Sequence, residues 1–207
     1  MQGFLDHCVV YLTKEANLKT EQQEIVRFGL ECTASAILST GVALGLGGIL
    51  DQFPETLTAL LIFALLRRFS GGSHCTAPGR CALFTALILA LIAGQARWLF
   101  GVGFQHHYLA ITAVTLMAVV IHCRWAPADC PAHPIAKPVR RQRLKRLSLA
   151  AIAVLASFLF LIIYLGNGLY AGVGWISLLW HSLGVTPWGN KAVAGADQLL
   201  AAAGIRR

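Results

Sequence analysis

The sequence predicts an all-α membrane protein: six transmembrane helices, an N-terminal amphipathic helix on the membrane surface, and a chemically unusual loop on the cytoplasmic side. Three observations predict it. The chain is 57% hydrophobic and only 13% charged, where soluble domains carry about 25% charged residues. Its mean hydropathy is +0.65, and several apolar runs approach or exceed the roughly 18 residues that mark a membrane span. The basic residues behind the formal net charge of +8 flank those runs. On a soluble protein such a charge suggests nucleic acid. Here membrane orientation and contact with anionic lipid account for it, so the lipid bilayer is the expected partner and nucleic acid is not. Residues 1–207 read as a single integral membrane domain with no room for a separate soluble one.

Residues 1–28 are polar and mixed in charge, without an early apolar core or small-residue cleavage site, so no cleavable signal peptide is expected. Phe4, Leu5, Val9, Tyr11 and Leu12 partly follow a helical stripe, which suits an amphipathic helix on the membrane face. An ordinary solvated helix is the competing reading. The first span covers about 32–50 and is rich in Gly, Ala and Leu, residues that let membrane helices approach closely. A turn, "DQFPE", leads to a short second run, 56–66. At about 1.5 Å per residue it covers roughly 17 Å of a hydrocarbon core about 30 Å thick. Either it starts earlier, with Phe53, or the loop after it lies within the membrane boundary. The third, fourth, fifth and sixth spans cover about 82–100, 108–123, 147–165 and 169–185. A Pro-rich basic loop, 124–146, joins the fourth to the fifth. Trp175 and Trp180 lie in the sixth, Trp188 follows as an interfacial aromatic would, and 189–207 is a short tail able to form a surface helix.

Six spans put both termini on one side, and the charges fix which. Every lysine and arginine except Arg97 falls on one face: in the N-terminal segment, the loop after the second span, the 124–146 loop and the tail. The positive-inside rule makes that face cytoplasmic. The sequence therefore predicts a multi-pass protein of the cell membrane with both termini and the loop 67–81 in the cytoplasm.

That loop, "RRFSGGSHCTAPGRC", holds the chemistry. His74 and Cys81 are seven residues apart, about 10.5 Å along a continuous helix, whereas a base must come within about 3 Å of its nucleophile. The chain must leave the helix between them, and Gly71, Gly72, Pro78 and Gly79 permit it. Thr76 is a candidate cap for a new helix with Pro78 in its first turn. A helix N-terminus, a nearby histidine and Arg80 would all favour a thiolate at Cys81. Cys75 is a rival nucleophile. Metal binding is a second rival: His74, Cys75 and Cys81 could supply ligands, with His122, Cys123, Cys130 and His133 in reserve. No pair has the short C-x2-C spacing of structural zinc sites, so no metal or other cofactor is expected. The six cysteines show no disulfide framework; Cys32 and Cys123 fall in apolar spans, where a thiol packs as a small hydrophobe.

"RRFSGGSHCTAPGRC" resembles the signature of the accessory gene regulator B family: a basic residue, G-G-x-H, six residues, then Cys at the start of the next span. Arg67, Gly71, Gly72, His74 and Cys81 match it. "RFGLE" (27–31) resembles the family's approach to the first span, and "RWAPADCPAHPIAKPVRRQRLKRLSLA" its Pro-rich, then basic, loop. The resemblance runs in order along nearly the whole chain. It implies a membrane cysteine endopeptidase that processes quorum-sensing peptide precursors, with 67–81 as the catalytic loop. His74 would be the general base and Cys81 the nucleophile, holding the precursor's N-terminal part as an acyl-thioester. In members that make cyclic signals, a Cys or Ser of the peptide then attacks the thioester to close a thiolactone or lactone. The implied partners are a short amphipathic precursor peptide and a second copy of the chain in a homodimer.

Supporting residues have more than one reading. Arg67 either binds a precursor carboxylate or an oxyanion, or is a snorkelling interfacial arginine. Gly72 permits the turn that aims His74. Glu31, at the mouth of the first span, is a membrane-embedded carboxylate, functional by default; it could orient His74, pair with Arg67 or bind the precursor's basic end. Ser70 and Ser73 are either oxyanion donors or loop polar residues. Basic residues 137–146 either orient the protein or attract an acidic precursor segment. His122 and His133 read as structural or incidental, and His106 and His107 lie on the outer side. The competing function is a small multi-span transporter or channel subunit. Its difficulty is that the spans carry few ionisable residues, chiefly Glu31 and Arg97. A redox or metal sensor using Cys75 and Cys81 is the third class.

Overall fold

The structure, a computed structural model, describes residues 20–72, 75–128 and 137–204; the side chains of Thr20, Glu21, Glu24, Phe28, Glu31 and Cys32 fall outside the description. The described residues form seven helices: α1 (Thr20–Ile49), α2 (Phe53–Ser70), α3 (Pro78–Gly101), α4 (His107–Trp125), α5 (Pro138–Tyr164), α6 (Gly168–Val185) and α7 (Pro187–Ala202). No strand occurs among them; a single isolated bridge pairs Gly71 with Ala128.

Three helices are long and apolar enough to cross a membrane, namely α3, α4 and α5. The other three expected spans differ from them for identifiable reasons. The apolar part of α1 is only Thr33–Ile49. Helix α2 carries Glu55, Arg67 and Arg68, and α6 carries His181 with Trp175 and Trp180. The outward faces of the long helices are apolar: Leu91, Leu116, Val120, Val154 and Phe158 all stand exposed. An apolar exterior of this extent marks a surface made for a non-aqueous neighbour.

Several boundaries move from their expected places. The second run starts at Phe53, with Pro54 in its first turn, which resolves its shortness: 18 residues extend about 27 Å. Residues 20–28, expected as the end of a separate surface segment, are instead the first turns of α1; residues 1–19 lie outside the described residues. The basic stretch 138–146, expected as loop, is the start of α5, because Pro138 suits a first helical turn. Lys145, two turns further along α5, donates to the Cys123 carbonyl, which ties the basic segment to the end of α4. Cys123 itself is exposed rather than packed.

Helix α6 is the axis of the fold. It packs against α2, α3, α4, α5 and α7. Two apolar clusters share α2 and α6 as a common wall. One joins Leu66, Ile111, Ile152, Leu159 and Leu178 from α2, α4, α5 and α6. The other joins Ala43, Ala59, Leu89, Ile92 and Val173 from α1, α2, α3 and α6. Small residues permit this crowding: the Leu159 side chain of α5 occupies the space that a Cβ on Gly174 would need. At the end of α2 remote from the 67–81 loop, Arg97 donates to both oxygens of buried Glu55, at 2.9 and 3.2 Å, and lies 3.8 Å from Asp51. The one arginine outside the basic face is thus neutralised by the two acids of the neighbouring turn. On the same side His107 accepts from Trp175 Nε1 at 3.4 Å and meets Phe104 edge-on.

Gly174→Ala should destabilise the protein by about 1–3 kcal/mol, as overpacking does, since Leu159 is nearly fully buried and has little room to move. Gly41→Ala, with nothing within 4 Å of the added methyl, should leave thermal unfolding in detergent unchanged. Equal unfolding temperatures for the two variants would show that α6 is not tightly packed.

Candidate active site

The loop after α2 is shaped by two glycines. Gly71 has φ 69° and Gly72 has φ 145°, values that disfavour any residue with a side chain. Gly71 faces a second constraint, because the Ala128 carbonyl stands where its Cβ would be. The Ala128 N–H donates to the Ser70 carbonyl at 2.8 Å, and this stitches the loop to the residues that follow α4. Ser73 and His74 lie outside the described residues.

The chain re-enters helix at Pro78, with Ala77 extended at the cap position. Thr76 does not cap α3, contrary to expectation; its side chain turns to α7 instead. The Thr76 hydroxyl donates to Asp197 Oδ2 at 2.7 Å and accepts from Arg80 Nη2 at 2.5 Å. Arg80 Nε lies 2.8 Å from Asp197 Oδ1. Burial alone would raise the Asp197 carboxyl, but hydrogen bonds from the Thr76 side chain and backbone, with the Arg80 charge, hold it below its ordinary value. Cys81 sits in the first turn of α3, its N–H donating to the Ala77 carbonyl at 3.0 Å. The amides of Gly79 and Arg80 precede it, in the turn that has no intrahelical acceptors.

The two cysteines differ. Burial, reinforced by neighbouring Cys81 and Asp197, pushes the Cys75 thiol up to about 11. At pH 8 only about one Cys75 in a thousand is then a thiolate, the form that reacts. Both thiols line a small recess with Arg67, Phe84 and Thr85. A larger cavity of about 380 Å³ shares Phe63, Arg67, Phe84, Ile88 and Val193 with that recess. Its other walls include Gly72, Trp180, His181 and Trp188. It is an apolar chamber with one arginine at its junction with the cysteines.

Behind the loop lies a buried polar cluster. Ser70 Oγ, fully buried, sits 2.6 Å from His181 Nε2 and donates to the Leu66 carbonyl. His122 Nδ1 is 2.6 Å from Ser148 Oγ, and its Nε2 is 3.5 Å from Ser182 Oγ. The two imidazole rings are 5.9 Å apart. Ser70 is therefore a structural tie and not a loop donor. Among the described residues, no three His, Cys, Asp or Glu side chains come together as a metal site.

Of the residues singled out in the sequence, Arg67, Gly72 and Cys81 surround these two connected spaces. The Glu31 side chain, like His74, lies outside the described residues. Sequence reasoning missed His181 and Asp197. Each carried a faint signal: His181 is the one strongly polar residue of an otherwise apolar span, and Asp197 is the only acid in the tail.

Residues 5–185 match the family model described as accessory gene regulator B. The chain is 23% identical over 199 residues to "Putative AgrB-like protein" of Clostridium perfringens (strain SM101 / Type A), covering 90% of this chain and 91% of the relative. It is 28% identical over 159 residues to "Accessory gene regulator protein B" of Staphylococcus aureus (strain Newman), covering 77% and 80%. It is 27% identical over 161 residues to the protein of the same name in Staphylococcus haemolyticus (strain JCSC1435), covering 75% and 80%. No solved structure matches it.

Alkylation of Cys75 by iodoacetamide, followed by mass spectrometry in detergent, should be slow at pH 8. It should rise about tenfold per unit toward pH 10, because the thiolate fraction rises in that proportion below a value of about 11. A plateau below pH 9 would contradict the environment described for this thiol.

Proposed function

The chain belongs to the accessory gene regulator B family, and from that membership we propose that it is a membrane cysteine endopeptidase cleaving a small autoinducing-peptide precursor for quorum sensing. The observation that carries the proposal is the position of Cys81: in the first turn of a helix, on a recess that opens past Arg67 into an apolar chamber. We take all six apolar helices, α1 to α6, as membrane spans. Both termini and the loop 67–81 are then cytoplasmic, following the asymmetry of the basic residues.

In this mechanism the amphipathic precursor docks at the membrane with an apolar side chain in the chamber. His74 removes the Cys81 proton. The thiolate attacks the scissile carbonyl carbon, and the developing oxyanion is stabilised by the Gly79 and Arg80 amides or by Arg67. His74 then delivers its proton to the leaving nitrogen. The C–N bond breaks, the C-terminal fragment departs, and the N-terminal fragment remains as a thioester on Cys81. A Cys or Ser of that fragment attacks the thioester, transfers its proton through His74 to the Cys81 sulfur, and leaves as a thiolactone or lactone. The thioester retains part of the cleaved amide's reactivity, so no nucleotide is consumed. Phe63, Phe84, Trp180 and Trp188 line the space and limit water, which favours ring closure over hydrolysis. Glu31 is a candidate to orient His74. The protein acts as a homodimer in this reading.

Co-expressed with a precursor encoded beside it, the wild-type chain should release a C-terminal fragment visible on a gel. Cys81→Ala should abolish cleavage, and His74→Ala should lower it about 100- to 10,000-fold, the usual contribution of a general base. Cys75→Ala should retain it. Cleavage surviving in Cys81→Ala, or lost in Cys75→Ala alone, would remove the mechanism.

A further inference from the structure

Helix α7 begins beyond residue 185, where the family match ends, yet it reaches back to the reactive loop. Thr186 caps it by accepting from the Gly189 N–H at 3.1 Å. The Gly189 position, with no room for a Cβ against the Leu183 carbonyl, sets the sharp corner from α6. This corner turns α7 across the cytoplasmic end of the bundle. Ala192 and Val193 then line the chamber, and Asp197 lies only 7% exposed beneath the loop.

Among the described residues, Asp197 draws together Thr76 and Arg80 of the segment leading into Cys81. It accepts from the Thr76 hydroxyl at 2.7 Å and pairs with Arg80 at 2.8 Å, and it stands close enough to Cys75 for its charge to bear on that thiol. Arg80 adds a second link by donating to Thr76. A carboxylate placed this way does three things at once. It ties Thr76, ahead of α3, to Arg80 in the first turn of that helix. It neutralises Arg80, which is 8% exposed. It also adds, after burial and Cys81, to the influences that keep the Cys75 thiol protonated.

We propose that Asp197 is a positioning residue: the C-terminal helix clamps the 75–81 segment so that Cys81 alone is presented as the nucleophile. The proposal rests on the peptidase reading for its purpose, but the clamp itself has readouts that need no peptide substrate. One is iodoacetamide, which reports each thiol separately. The other is 4-nitrophenyl acetate, an acyl donor that acylates a reactive cysteine and releases nitrophenolate.

The test uses the full chain in lipid nanodiscs. Asp197→Asn, which keeps size and removes charge, should raise alkylation of Cys75 at pH 8 about tenfold and increase amide deuterium uptake across 75–81. It should also slow acylation of Cys81 by 4-nitrophenyl acetate about tenfold to a hundredfold, the scale on which misplaced reacting groups lose rate. Asp197→Glu should recover part of the acylation rate. Uptake across α4 and α5 should match the wild type in both variants, which separates loosening of the clamp from general unfolding. Unchanged Cys75 alkylation and unchanged uptake in Asp197→Asn would overturn the clamp. A loosened segment with undiminished Cys81 acylation would overturn the positioning role. Failure of the peptidase reading is distinguishable, because it appears as precursor cleavage that does not need Cys81.

Discussion

The site depends on one constraint: helix must stop at Ser70 and restart at Pro78 within the width of a single loop. Gly71 and Gly72 make the stop, because their positive φ angles exclude residues with a Cβ. The Ala128 carbonyl packed against Gly71 and the Ala128 N–H on Ser70 hold the break in place. Ser70 is in turn fixed from below by His181. Without this break α2 and α3 could not lie side by side against α6. Cys81 would then lie in mid-helix, away from the chamber and from the polar groups that surround it.

The surroundings of the break separate two kinds of chemistry. On the inner side, Ser70, His122, Ser148, His181 and Ser182 satisfy one another in a buried cluster, which removes the cost of unpaired polar groups in an apolar interior. On the outer side, Arg67, Cys75 and Cys81 line the recess. The inner cluster fixes where the loop starts, and Asp197 fixes where it ends. In the proposed mechanism a thiol held from both sides needs little reorganisation when a substrate arrives, which is how positioning contributes to rate.

The helical class and the helix break before Cys81 were legible in the sequence because each leaves a local mark. Long apolar runs announce helices α3, α4 and α5, and the glycines with Pro78 announce the break. Boundaries were less legible where charge and helix overlap: Pro138–Arg146 looks like a loop because it is basic, yet Pro138 starts α5 there. The ties between distant segments left almost no mark. Asp197 and Thr76 are 121 positions apart, and a lone acid in a tail does not reveal its partner. The local sequence makes Thr76 a candidate cap, but a tertiary partner claims its hydroxyl instead. His181 was hidden in the same way, being one polar residue among apolar neighbours until α2 brings Ser70 against it.

Identification of the covalent intermediate bears most directly on the role of Cys81. Membranes containing the chain and its precursor should be trapped in acid and the Cys81 peptide analysed by mass spectrometry. The account requires an adduct on Cys81 equal in mass to the precursor's N-terminal fragment less one water, lost on treatment with neutral hydroxylamine. Cleaved precursor accompanied by an unmodified Cys81, or by an adduct on Cys75, would contradict it.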